Sequence, residues 1–271
     1  MSTILNSIQN MNNLDEFARK DSLIHRINPT IKLLTTVIFL FIVISFDKYN
    51  ISGLFIFFLY PVLVFSLADI PLVPIIKRIL IIEPFIIGIG ILNPLLESHS
   101  TTIFNITFSI GWITFLSILI KSLLTITATL LLISTTGFDK IASALRSLKV
   151  PKIFVLQLLL TYRYISVLLE ELIRMIRAYT LRSPFKKGIH ISNWGSFAGQ
   201  LILRTFDRAQ RLYFAMCARG FTGDYEFSSS DKKYSKVKVK DYIYILVWGA
   251  FFIFSRIYNI SESITIFINS F

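Results

Sequence analysis

The chain has 271 residues, of which 54% are hydrophobic and only 16% charged, with a formal net charge of +12. Soluble domains carry about 25% charged residues, so the composition points to a membrane protein. Apolar runs of spanning length make nucleic-acid binding a poor reading of the positive charge. A single cysteine, Cys217, excludes an intramolecular disulfide.

Residues 1–30 read as a polar cytoplasmic segment, with no apolar core or cleavage pattern of a secretory signal. A bilayer crossing needs about 20 mostly apolar residues. Candidates are Ile31–Phe46, Ile51–Ala68, Ile79–Leu96, a span within Ile110–Ser134, and one from Asp241 to about Ile260. Arg19, Lys20 and Arg26 precede the first, and Lys77 and Arg78 precede the third. Residues 97–109 hold no Lys or Arg, whereas 135–240 is strongly basic. Positive loops stay inside, which predicts five spans with the N-terminus cytoplasmic and the C-terminus outside. Residues 31–134 then hold four spans, and 241–271 the last span with an external tail.

Within the fourth span Ser117, Lys121, Thr125 and Thr129 recur every fourth residue and share one helix face. Lys121 needs a partner at that depth, and Glu83 is a candidate. The stripe reads as helix packing, or alternatively as an ion path. Gly88 and Gly90 suggest close helix approach.

The stretch 135–240 holds helices of another kind. Phe138–Lys149 reads as a short helix, stopped at Val150-Pro151. From Pro151 to Arg182 no further Pro or Gly intervenes, so one helix of about 32 residues is expected, near 48 Å long. Only Ile153–Tyr162 within it is charge-free, too short to span. Glu170 faces Arg174 at i,i+4. After Ser183-Pro184, a second helix is expected from about Ser192 to Arg219. Arg204, Arg208 and Arg211 line one of its faces. It ends in YFAMCARGF, where Arg219 suits the negative end of the helix dipole and Gly220 is the usual terminator. The arginine face is a solvated or lipid-headgroup surface, or a platform for other proteins.

No phosphate-binding Gly-rich loop with Lys-Ser/Thr is present. His25, His99 and His190 are scattered, so no metal cluster follows from spacing. Nothing in the pattern suggests an enzyme.

Two segments are more specific. TGFDKIASALRSLKVPKIFVLQLLLTYRYISVLLEELIRMIRAYTLRS and ILRTFDRAQRLYFAMCARGFTG closely resemble the transmembrane T component of energy-coupling factor (ECF) transporters, the CbiQ/EcfT family. SLIHRINPTIKLL (Ser22–Leu34) is similar to that family's opening motif, and RTFDRAQRLYFAM looks closest to the CbiQ branch, which serves cobalt and nickel uptake. The resemblance implies an all-α membrane protein, with about five transmembrane helices and long cytoplasmic coupling helices over 135–240. It implies a multi-pass, non-catalytic subunit of a prokaryotic inner-membrane importer. Its partners would be two cytosolic ABC ATPases and a substrate-binding S component of the CbiM or NikM kind. ATP would be held by those ATPases; this chain would carry neither cofactor nor metal. In the family, arginines of two Ala-Arg-Gly or Ala-Arg-Ser motifs dock into ATPase grooves. Carried over, these are Arg182-Ser183 and Ala218-Arg219-Gly220, with Arg204, Arg208 and Arg211 as a supporting face. Leu181 stands where Ala is usual. A T component shared by vitamin-specific subunits, and an ion-coupled secondary transporter using Lys121 and Glu83, are the rival expectations.

Overall fold

A computed structural model describes residues 17–18, 20–47, 51–96, 100–103, 106–182, 191–223 and 238–257. The fold is that of an all-α membrane protein, with one short hairpin added. The elements in order are α1 (Pro29–Ile44), α2 (Ile51–Ile56), α3 (Leu59–Ala68), α4 (Leu72–Gly90), α5 (Leu92–Leu96), β1 (Ser100–Ile103), β2 (Ile106–Ser109), α6 (Ile110–Thr136), α7 (Phe138–Ser147), α8 (Lys152–Arg182), α9 (Trp194–Ala218) and α10 (Val239–Ile257). The helices fall into two units, Phe138–Lys232 and Glu16–Gly137 with Lys233–Phe271.

In the second of these units α6 is the central helix, packed against α1 to α5. Phe39 of α1 meets Phe252 of α10 at 5.4 Å between ring centroids, and Tyr60 of α3 meets Trp248 edge-on at 4.7 Å. Such offset aromatic contacts are favourable beyond their buried area. The opening motif shows why α1 begins where it does. Asn28 caps α1 by accepting from the Thr30 amide at 3.0 Å, with Pro29 at the first helical position. Lys32, buried, donates to the Thr135 carbonyl at 2.9 Å and so holds the end of α6. His25 is satisfied by Ser22 Oγ and the Phe17 carbonyl. Asp241 is only 3% exposed and accepts from two amides, Lys238 at the start of α10 and Asn28 at the start of α1. The first is the reciprocal bond of a capping box; the second ties α10 to α1.

The expected spans need adjustment. The second is broken between Ile56 and Leu59, because Pro61 has no amide to bond the Phe57 carbonyl four residues back. The third begins earlier, at Leu72, and continues through an internal Pro84. The 97–109 connection contains the hairpin, paired Ser100 to Ser109 through Ile103 to Ile106, in a run rich in β-branched residues. The fifth starts at Val239, and residues 258–260 lie outside the described residues. Among the described residues two helices are long and apolar enough to cross a membrane, Gly111–Thr136 and Lys152–Arg182, while Pro29–Ile44 and Gly53–Ala68 are apolar but shorter. The apolar part of α8 is therefore longer than Ile153–Tyr162, since isolated charges do not end an apolar window.

Lys121 and Glu83 do not meet each other as expected. Lys121 donates to the Phe46 carbonyl at 2.6 Å, just past the end of α1, and Glu83 accepts from Ser122 at 2.9 Å. Neighbours on a helix point about 100° apart, so binding Ser122 turns Glu83 away from Lys121. Thr125 and Thr129 return their hydroxyls to carbonyls one turn back, so that part of the stripe is satisfied inside α6. Of the two glycines, Gly90 packs against the Phe115 ring, whereas Gly88 has open space around it.

Candidate functional site

In the unit containing α7, α8 and α9, a short turn folds α7 back onto α8. Lys149 adopts φ +65° there, and Pro151 opens the next helix. Phe138 stacks on Tyr162 at 4.1 Å, fixing α7 against the first half of α8.

The second half of α8 runs antiparallel to α9. Tyr179 meets Phe197 edge-on at 5.3 Å and accepts from Asn193 at 2.9 Å. Farther along, Glu171 binds Arg204 of α9 with one carboxylate oxygen and Arg174 of its own helix with the other, the latter at 2.7 Å. The i,i+4 pair expected at Glu170 is loose, 3.9 Å from Arg174. Glu171 wins because the i,i+3 position also faces α9. It is 17% exposed, and Arg174 and then Arg204 hold its carboxyl below the usual carboxylate range. Glu171 is the residue that sequence reasoning missed; the Glu170-Glu171 doublet signalled an acid there, but not which one crosses to the other helix.

Arg204, Arg208 and Arg211 do share a face, and it looks into an open cleft of 240 Å³ bordered also by Leu168, Glu171, Thr205 and Asp207. They do not lie beside the helix ends where Arg182 and Arg219 stand.

Arg182 is the last residue of α8 and is exposed, next to Leu181 at 82% exposure. Ser183 lies outside the described residues. Arg219 is also exposed, and its setting is fully defined. The Gly220 amide bonds the Cys217 carbonyl at 2.9 Å and the Phe221 amide bonds Met216 at 3.0 Å, the paired pattern of a Schellman cap. Gly220 sits at φ +80° with nothing near a virtual Cβ, so conformation rather than crowding demands glycine. Arg219 thus occupies the C-cap with its side chain beyond Ala218, the last helical residue. Because the helices are antiparallel, Arg182 stands near the start of α9 and Arg219 at its end. The 25 residues of α9 separate them by about 37 Å at 1.5 Å per residue. Two guanidinium groups that far apart cannot share one small pocket.

The comparisons with known proteins agree on one family. Residues 20–230 match the CbiQ family, described as cobalt transport protein. The chain is 28% identical over 246 residues to an uncharacterised protein of Methanocaldococcus jannaschii, covering 86% of this chain and 81% of that one. It is 30% identical over 221 residues to the energy-coupling factor transporter transmembrane protein EcfT of Bacillus subtilis, covering 74% and 82%. With the nickel permease LarQ of Lactiplantibacillus plantarum it shares 30% identity over 122 residues, 45% of this chain and 44% of that one. The family match takes in the capped start of α1, the antiparallel pair α8 and α9, and both exposed arginines. The chain belongs to the CbiQ/EcfT family of cobalt and energy-coupling factor transport proteins.

Proposed function

We propose that this chain is the energy-coupling T component of an ECF-type importer, transmitting the work of two cytosolic ATPases to a substrate-binding membrane subunit. On this reading it is a multi-pass protein of a prokaryotic inner membrane, with a cytoplasmic N-terminus. It holds no ATP, cofactor or metal and does no chemistry. The observation that supports it best is the pair of exposed arginines at the C-terminal ends of α8 and α9, one of them set in a complete helix cap. A planar, permanently charged fork suits acidic side chains and carbonyls in a partner's groove. Leu181 adds an apolar contact beside Arg182. Arg204 supports the arrangement from behind, by fastening α9 to α8 through Glu171.

The family description and the nickel permease favour cobalt or nickel as cargo. Longer coverage by the EcfT relative favours a second reading, a T component shared by several vitamin-specific subunits. The test is co-purification of the ATPases with Arg182→Ala, Arg219→Ala and the double variant, alongside uptake of radiolabelled cobalt and nickel. Each single change should weaken ATPase retention, and the double change should abolish uptake. Normal retention and uptake in the double variant would overturn the docking assignment. Loss of vitamin uptake with cobalt and nickel unaffected would select the second reading.

A further inference from the structure

The coupling helices α7, α8 and α9 join the spans through two stretches of chain, the step from Gly137 to Phe138 and the residues before Val239. On the docking reading, ATPase movement enters at Arg182 and Arg219. The unit holding α7 to α9 is tied within itself, by Phe138 on Tyr162 and by Glu171 on Arg204, so a displacement of α8 or α9 arrives at Phe138. Gly137 alone separates α7 from α6. What holds the end of α6 decides whether the displacement moves that helix or is absorbed there.

A helix end yields easily. The last four carbonyls of a helix lack partners within it, and terminal turns open at little cost. In α6 this end is held. Ser134, Thr135 and Thr136 are all buried, and the Gly137 amide bonds the Ile133 carbonyl at 2.9 Å. Lys32 of α1, only 3% exposed, donates to the Thr135 carbonyl at 2.9 Å. Its Nζ thereby stands at the negative end of a 27-residue helix, where a positive group is favoured. Ala18 packs against Gly137, where an added Cβ would come within 3.1 Å of the Ala18 Cβ. The neighbouring Phe17 carbonyl is fixed in turn by His25 at 3.0 Å.

The second stretch is held by the same segment. Asp241 accepts from the Lys238 amide at 2.8 Å, where α10 begins, and from the Asn28 amide at 3.0 Å. His25, Asn28 and Lys32 lie close together in the chain, yet between them they hold the end of α6 and the start of α10. Those are the two points from which the coupling helices depart and to which they return.

We infer that residues 25–32 are a transmission clasp, in which Lys32 on α6 and Asn28 on α10 pass displacement of the coupling helices to α1, α6 and α10 together. Hydrogen bonds between packed, rigid helices are contacts able to carry such coupling. Lys32 is a positioning residue here, acting through the Thr135 carbonyl. The inference rests on the T-component reading.

The test uses the full complex co-purified with its ATPases, with backbone hydrogen exchange followed with and without a non-hydrolysable ATP analogue. In the wild type the analogue should change exchange in α7–α9 and also in the first turns of α1 and α10. Lys32→Met with Asp241→Ala should keep ATPase retention and the change in α7–α9, but lose the change in α1 and α10. If that double variant fails to assemble, Lys32→Met alone should weaken the α1 response and move it onto residues 133–136, which then fray instead of transmitting. A merely structural Lys32 would lower the thermal midpoint of Lys32→Met yet leave the α1 response as in the wild type, and that result would overturn the proposal. So would a wild-type complex in which the analogue alters α7–α9 and leaves α1 and α10 unchanged. Failure of the wild-type chain to retain ATPases would instead overturn the T-component reading beneath it.

Discussion

Gly220 decides where Arg219 points. An L-residue at φ +80° costs about 1–2 kcal/mol, and no neighbour obstructs a new Cβ. Gly220→Ala should therefore loosen the end of α9 and weaken ATPase binding by about tenfold, through orientation alone. Arg219→Ala should cost more. Truncating one partner of a buried interfacial charge pair costs about 2–5 kcal/mol, a thirtyfold to several-thousandfold loss at about 1.4 kcal/mol per decade. Loss of a helix-end charge alone costs about 0.3–1 kcal/mol. Titrating the ATPases against each variant separates these cases, and Arg219→Lys should rescue only in part, because an ammonium lacks the planar fork. Glu171 sets a pH dependence. Arg174 and Arg204 lower its folded pKa, so its contribution is present above the ordinary carboxylate pKa and is lost as pH falls through the lowered value. Both arginines are more than half exposed, so the contribution is under about 1 kcal/mol. Hydrogen exchange along α9 should quicken in that acid window, and Glu171→Gln should remove the change.

Among the elements, α6 offers the clearest trial of the rival ion-path reading. Lys121 holds the Phe46 carbonyl past the end of α1, so Lys121→Met leaves one carbonyl without its donor, at a cost of about 1–3 kcal/mol. The thermal midpoint should drop while uptake by the assembled complex persists. Abolished uptake in a stable complex would restore a transport role for Lys121. Other elements show what could be read from the chain alone. The length of α8 was legible because no Pro or Gly interrupts 152–182, and the end of α9 was legible in Arg-Gly. Pro61 carried the signal for the break between α2 and α3, and the β-branched run at 100–109 carried the signal for the hairpin. The partners of Lys121, Glu83 and Glu171 were not legible. Spacing fixes which residues share a face on one helix, but not the rotation of the helix opposite.

For the whole molecule, the only cysteine makes a direct test of topology. Cys217 is free and exposed near the end of α9. An impermeant thiol reagent should label it only after cells are permeabilised. Asn269→Cys in a Cys217→Ser background should be labelled on intact cells. The opposite pattern would reverse the proposed orientation.

The tie between Asp241 and Asn28 also sets a schedule for synthesis. It joins residues 213 positions apart, and chains grow at about 5–20 residues per second, so α1 is made roughly 10–40 s before its partner exists. During that interval the Asn28 amide lacks its acceptor, and the aromatic faces of Phe39 and Tyr60 wait for Phe252 and Trp248. Residues 239–257 thus supply the side of this seam that is made late. Until α10 is made, the seam that Asp241, Trp248 and Phe252 fill on α1 and α3 stays open.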